Sequence, residues 1–127
     1  MLQVRQQIKK EINLKSYDNR ILITGLDSCI SKDDFILELV SYINTLNEDI
    51  IFLSLNEREG PERWIIQWCK ENDYPIVIIE DKEPFERLNK ASYLSSNILI
   101  FTNINNNFKA LIDLAKKHKT KITKVLV

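Results

Sequence analysis

The stretch Arg20-Ile21-Leu22-Ile23-Thr24-Gly25-Leu26-Asp27-Ser28 decides the fold. Ile21, Leu22 and Ile23 run on with no polar residue between them, as a strand does when helices cover both of its faces. The run stops at Gly25, whose backbone freedom lets the chain turn sharply and lets a ligand come close to the main chain. Ser31 then stands where a helix N-cap belongs, with Asp34 three places on in the capping-box position. Strand, tight turn, helix is the resulting unit, and it is predicted to be the centre of a sheet. In open parallel sheets, ligands sit outside the carboxyl ends of the strands.

Working outward, Ile36, Leu39, Val40, Ile43 and Leu46 recur at helical spacing and predict an amphipathic helix over 32–46, ended by Asn47 and Glu48. Residues 50–53 form a second buried strand, too short and too rich in β-branched side chains for a helix. A polar loop over 54–60 carries Arg58 between carboxylates. Pro61 opens the next helix, where its missing amide is not needed, and that helix runs to about Asn72 with Ile65, Trp68 and Cys69 inward and Trp64 at the edge. Residues 74–79 give a third strand beginning at Pro75. Pro84 opens a shorter helix with Leu88, Ala91 and Leu94 inward, and 98–101 is a fourth strand.

The run 102–107 is made of turn- and cap-forming side chains and feeds a last helix with Phe108, Leu111, Ile112 and Ala115 on its apolar face. Lys116, Lys117, His118 and Lys119 crowd its end, where positive charge suits the helix dipole. Residues 122–127 supply a fifth strand. Strands and helices alternate five times, which predicts a parallel three-layer α/β/α sandwich. Upstream, Val4, Ile8 and Ile12 form a helical stripe within 1–15, and 17–19 turn into the sheet. That helix either packs on its own domain or serves as the contact of a homo-oligomer, since it joins no two strands. The chain therefore divides into a helix and turn over 1–19 and a single domain over 20–127.

Length and composition fit this. A chain of 127 residues suits one domain with a real core. Its 18 basic and 18 acidic residues balance to a net charge of zero, so no overall field draws it to nucleic acid or an anionic membrane, and neither is expected as a partner. Cys29 and Cys69 stand far apart without further cysteines, a poor disulfide framework and a worse metal site, so both are expected as reduced thiols in the cytoplasm. No leader and no membrane span is expected from the apolar runs. Two glycines and three prolines leave almost no material for a glycine-rich phosphate loop.

From Arg20 to about Val125 the chain resembles the SLOG superfamily, the Rossmann-like fold of DprA and the lysine-decarboxylase-like LOG proteins, and within it the small YspA-related branch. The resemblance is carried by the first strand with Thr24-Gly25, by Gly60-Pro61-Glu62 in the place of the family's Gly-Ala-Asp, and by Trp68 with the turn Asn72-Asp73-Tyr74-Pro75. It implies a Rossmann-like sheet, expected in the order 3-2-1-4-5, that binds a nucleotide or nucleotide-derived ligand at its strand ends. Where the family has glycine-rich loops, this chain reads Leu55-Asn56-Glu57-Arg58-Glu59 and Thr102-Asn103-Ile104-Asn105-Asn106-Asn107. Leu26-Asp27 replaces the basic residue that often follows the first-strand glycine.

The candidate ligand-binding residues are Gly25, Asp27, Ser28, Arg58, Gly60, Glu62, Asn103 and Asn105; no metal or cofactor is expected. Arg58 either clamps a phosphate or carboxylate bidentately or neutralises its glutamate neighbours. Asp27 and Glu62 are an acid–base pair or ordinary loop and helix-start charges. His118 is a surface residue, and Cys29, just before a helix start, a stabilised thiolate or inert. Trp64 and Trp68 stack on a base or belong to the core. Three functions follow. The first is a nucleotide-binding module without catalytic machinery, the second a ligand-free domain working through protein contact, and the third a nucleotide-processing hydrolase.

Overall fold

Residues 14–46, 49–102 and 108–125 are described by the computed structural model. The expected helix over 1–15 falls almost wholly outside them; the described chain opens with a short 3-10 turn at Leu14–Ser16. Five strands follow, β1 (Asn19–Gly25), β2 (Ile50–Ser54), β3 (Ile76–Ile78), β4 (Asn97–Phe101) and β5 (Lys121–Val125). Helices α1 (Lys32–Ile43), α2 (Pro61–Asn72), α3 (Pro84–Leu94) and α4 (Lys109–His118) alternate with them. The sheet is wholly parallel, in the order β3-β2-β1-β4-β5. The α/β sandwich of Rossmann-like order expected from the sequence is the observed one.

The apolar run of β1 sits at the centre because both its faces are covered. Ile21 and Ile23 pack with Phe35 and Leu39 of α1 and Ile65 and Cys69 of α2. Leu22, one residue out of phase, packs on the other face with Ala91 of α3 and Leu111 and Ala115 of α4. Alternate side chains of one strand thus feed two cores. On α1 the buried stripe is turned from the expected one: Phe35 and Leu39 are fully buried, while Val40 is 40% exposed. Phe35 stacks at a tilt on Phe101, 4.8 Å between ring centroids, and burying that ring contributes roughly 1.5–3 kcal/mol. The helix stops at Ile43, three residues short of the predicted end, where Asn44 caps it.

Other boundaries moved for similar reasons. Strand β3 keeps only three residues, since Pro75 has no amide to give, although its carbonyl accepts from the Phe52 amide at 3.1 Å. The Ser31 cap is formed as expected, its Oγ accepting from the Asp34 amide at 3.1 Å. The two tryptophans are partly buried and pack against the core: Trp64 lies on Phe35 at 5.6 Å, and Trp68 stacks on Tyr74 at 5.1 Å. His118 is not mere surface decoration. Its Nε2 lies 2.7 Å from Asn89 Oδ1, and its ring stands edge-on to Tyr93, so it ties α4 to α3.

Strand order fixes where a site can form. After β1 the chain walks outward through β2 to β3, then crosses back to β4 and on to β5. The connections leaving β1 and β4 therefore part in opposite directions, and the crevice between those strand ends is the place where such sheets bind ligands. Gly25 stands in this crevice opposite Phe101. A Cβ on it would lie 2.5 Å from the Phe101 carbonyl oxygen and 2.8 Å from its Cβ. Gly25→Ala is expected to lower stability by about 1–3 kcal/mol through overpacking, seen as a lower urea midpoint at unchanged slope. An unshifted midpoint would show that β1 and β4 do not close this tightly.

Candidate functional site

Glu62 lies in the first turn of α2, where a negative charge suits the helix dipole. Its side chain is fully buried. Oε2 accepts from the Thr24 hydroxyl at 2.6 Å. Oε1 accepts from two amides of the β2–α2 loop, those of Glu57 at 2.7 Å and Arg58 at 3.0 Å. Ser54 at the end of β2 adds a bond from its hydroxyl to the Glu62 carbonyl at 2.8 Å. One carboxylate thus fastens β1, the β2–α2 loop and the start of α2 to each other.

Burial pushes the Glu62 carboxyl above its ordinary value, while the Thr24 hydroxyl, the Arg58 amide and the charges of Arg58 and Arg63 pull the other way. Among the described residues no hydrogen bond joins it to Asp27, which is exposed on the turn after β1. The acid–base pair expected as one alternative is thus not assembled: Glu62 is turned inward and Asp27 outward. Gly60 brings the two loops together instead. Its φ is 92°, and a Cβ there would fall 2.6 Å from that of Asp27.

Beside this hub is a cavity of about 110 Å³, lined by Thr24, Leu55, Glu57, Arg58, Glu62, Leu88, Phe108, Ala110 and Leu111. The Arg58 guanidinium lies over the Phe108 ring, 4.9 Å from its centroid, a cation–π arrangement. Its Nε is 3.9 Å from Glu62 Oε2, and the side chain is 43% exposed. A second arginine is engaged within the protein: Arg87 donates to the Asp81 and Lys82 carbonyls and pairs with Glu57. It bolts the loop after β3 to the loop after β2.

Of the expected site residues, Arg58 and Glu62 line the cavity, whereas Gly25 and Gly60 act as contact points between strand ends. Asp27 and Ser28 are exposed on the neighbouring turn and do not line it. Asn103 and Asn105 lie outside the described residues, although Phe108, just beyond them, forms part of the wall. Sequence reasoning missed Thr24 as the hydroxyl partner of Glu62, and it missed Arg87 and Phe108. The Thr24-Gly25 pair was the available signal for the first; nothing in the spacing marks the other two.

Among the described residues, no group of three His, Cys, Asp or Glu side chains could hold a metal ion, and no helix is long and apolar enough to cross a membrane. Burial pushes the Cys69 thiol far above its usual range, so it is held protonated. Searches against protein-family models, curated proteins and solved structures find no match to the chain.

Removing the hub should be costly. Glu62→Ala leaves the buried Thr24 hydroxyl and two partly buried amides without their acceptor, at roughly 1–3 kcal/mol for the hydroxyl, whereas Glu62→Gln keeps the shape. An acid whose native pKa is raised binds its proton more readily when folded. Its contribution is therefore complete below the ordinary 4.5 and is lost as pH rises through the higher native value. Urea titrations from about pH 4 to pH 8 should show wild-type stability falling with pH relative to Glu62→Gln. A constant difference between the two would rule out the raised pKa.

Proposed function

We propose that this chain is a binding module that captures an anionic, nucleotide-derived ligand over the carboxyl ends of β1, β2 and β4, with Arg58 as the charged contact. The observation that carries the reading is the half-exposed Arg58 guanidinium, laid over Phe108 at a cavity in the topological switch point. A guanidinium braced on an aromatic ring is pre-oriented for bidentate contact with phosphate or carboxylate. Arg87 does not line the cavity, and each of its three nitrogens bonds within the protein, to Asp81, Lys82 and Glu57.

The size of the cavity limits what enters. Pockets that enclose whole small ligands run to roughly 300–1,000 Å³, so about 110 Å³ accepts one phosphate-, carboxylate- or sugar-sized group. The remainder of the ligand would lie across the open rim beside Asp27 and Ser28. No reaction is assigned. Catalysis of the hydrolase kind needs a group free to exchange a proton with substrate, and the Glu62 oxygens are engaged by three internal donors.

Thermal melts of the full chain with nucleotides, cyclic nucleotides, ADP-ribose and inorganic phosphate test this. A true ligand at about 100 times its Kd should stabilise by about 2.7 kcal/mol, and Arg58→Ala should remove most of that shift. Should no compound raise the melting temperature, or should Arg58→Ala respond as the wild type does, the reading fails.

A further inference from the structure

The zero net charge conceals a separation. Fifteen of the eighteen acidic residues fall between positions 27 and 86, which hold only five basic ones. Positions 87–127 hold eight basic residues and a single acid, Asp113. The strand order turns this separation along the chain into one across the molecule. The acidic segment builds α1, β2, α2 and β3, and thus the β3 edge of the sheet. The basic segment builds most of α3, then β4, α4 and β5, and thus the opposite edge.

The two edge strands carry the contrast at close range. Glu71 and Asp73 precede β3 in the chain, next to Lys70, and Glu80 and Glu83 follow it, on either side of Asp81 and Lys82; these four acids and both lysines are exposed, and Asp81 is half-buried. Beside β5 stand Lys116, Lys117 and Lys119, with Lys121 at its first position, also exposed. Among the described residues Lys117, Lys119 and Lys121 make no ion pair. Among those residues, too, each edge strand pairs on one side only.

We propose that copies of this chain associate head to tail, the lysine-bearing β5 edge of one facing the acidic β3 edge of the next. Pairing of like edges would set lysine against lysine or carboxylate against carboxylate, which lysines on edge strands serve to prevent. Unlike edges attract. All strands run in one direction, so a neighbour placed side by side with the same orientation brings Lys119 and Lys121 to the amino end of β3, where Glu71 and Asp73 stand. Such a contact uses different patches on the two partners and does not close on itself, so it adds copies in a row. A long polyanion fits less well, because the acidic segment of each chain would repel it. The association is independent of any ligand at the rim.

Sedimentation velocity of the full chain at rising concentration decides the matter. At about 0.01 M salt, where charges are felt over roughly 30 Å, the mean mass should climb past two copies. At about 1 M, where the range is near 3 Å, it should return to one. Lys119→Glu with Lys121→Glu should be monomeric at low salt, as should Glu71→Lys with Asp73→Asn. Mixing the two variants should restore assembly, which also shows that both are folded. A monomer at both salt levels, growth that stops at two copies, or assembly indifferent to both variants would overturn the proposal. So would a monomeric chain whose lysine edge instead binds an oligonucleotide.

Discussion

The rim of this sheet hangs on one buried carboxylate. Glu62, at the start of α2, takes a hydroxyl from β1, 38 positions earlier, and two amides from the adjoining β2–α2 loop, so a single acceptor group holds strand, loop and helix start together. Burying a carboxylate is expensive unless donors replace its water, and here three do. The arrangement is also tight: Gly60 and Gly25 stand where any Cβ would collide with Asp27 and Phe101. Hydrogen bonds supply the direction of the rim and the glycines its closeness.

That use of Glu62 shapes what the surface can offer a ligand. The β2–α2 loop turns its Glu57 and Arg58 amides onto an internal carboxylate, so they are already engaged within the fold. The positive charge in the cavity lining is that of the Arg58 side chain, braced on Phe108. Arg87 strengthens the same loop from the other side without reaching into the cavity as a free cation. The surface built this way is held from below by Glu62 and carries the Arg58 side chain at the cavity.

Much of the fold was legible because β1 to β4 each contain a short apolar run and helical stripes separate them, and alternating units of this kind admit few topologies. Element ends were less so. The Ile36-to-Leu46 spacing in α1 suggested a face including Val40, but Phe35 sits better over Phe101, a contact 66 positions away that no local pattern contains. The site was legible only in part. Gly25, Gly60 and Arg58 could be read as rim residues from their places after strands, yet whether Glu62 faces ligand or interior depends on Thr24, 38 positions earlier. Arg87 and His118 work through partners 30 and 29 positions away, and nothing local to either residue marks them.

The amides of Glu57 and Arg58 report most directly on the hub, because their own side chains are exposed and, among the described residues, only the Glu62 carboxylate takes their hydrogen bonds. Native-state hydrogen exchange resolved at these two positions is the measurement to make. Both amides should exchange slowly, opening together with the start of α2. Exchange at the rate of an unstructured peptide at either position would mean that the carboxylate does not hold the loop, and the account of the rim would fall with it.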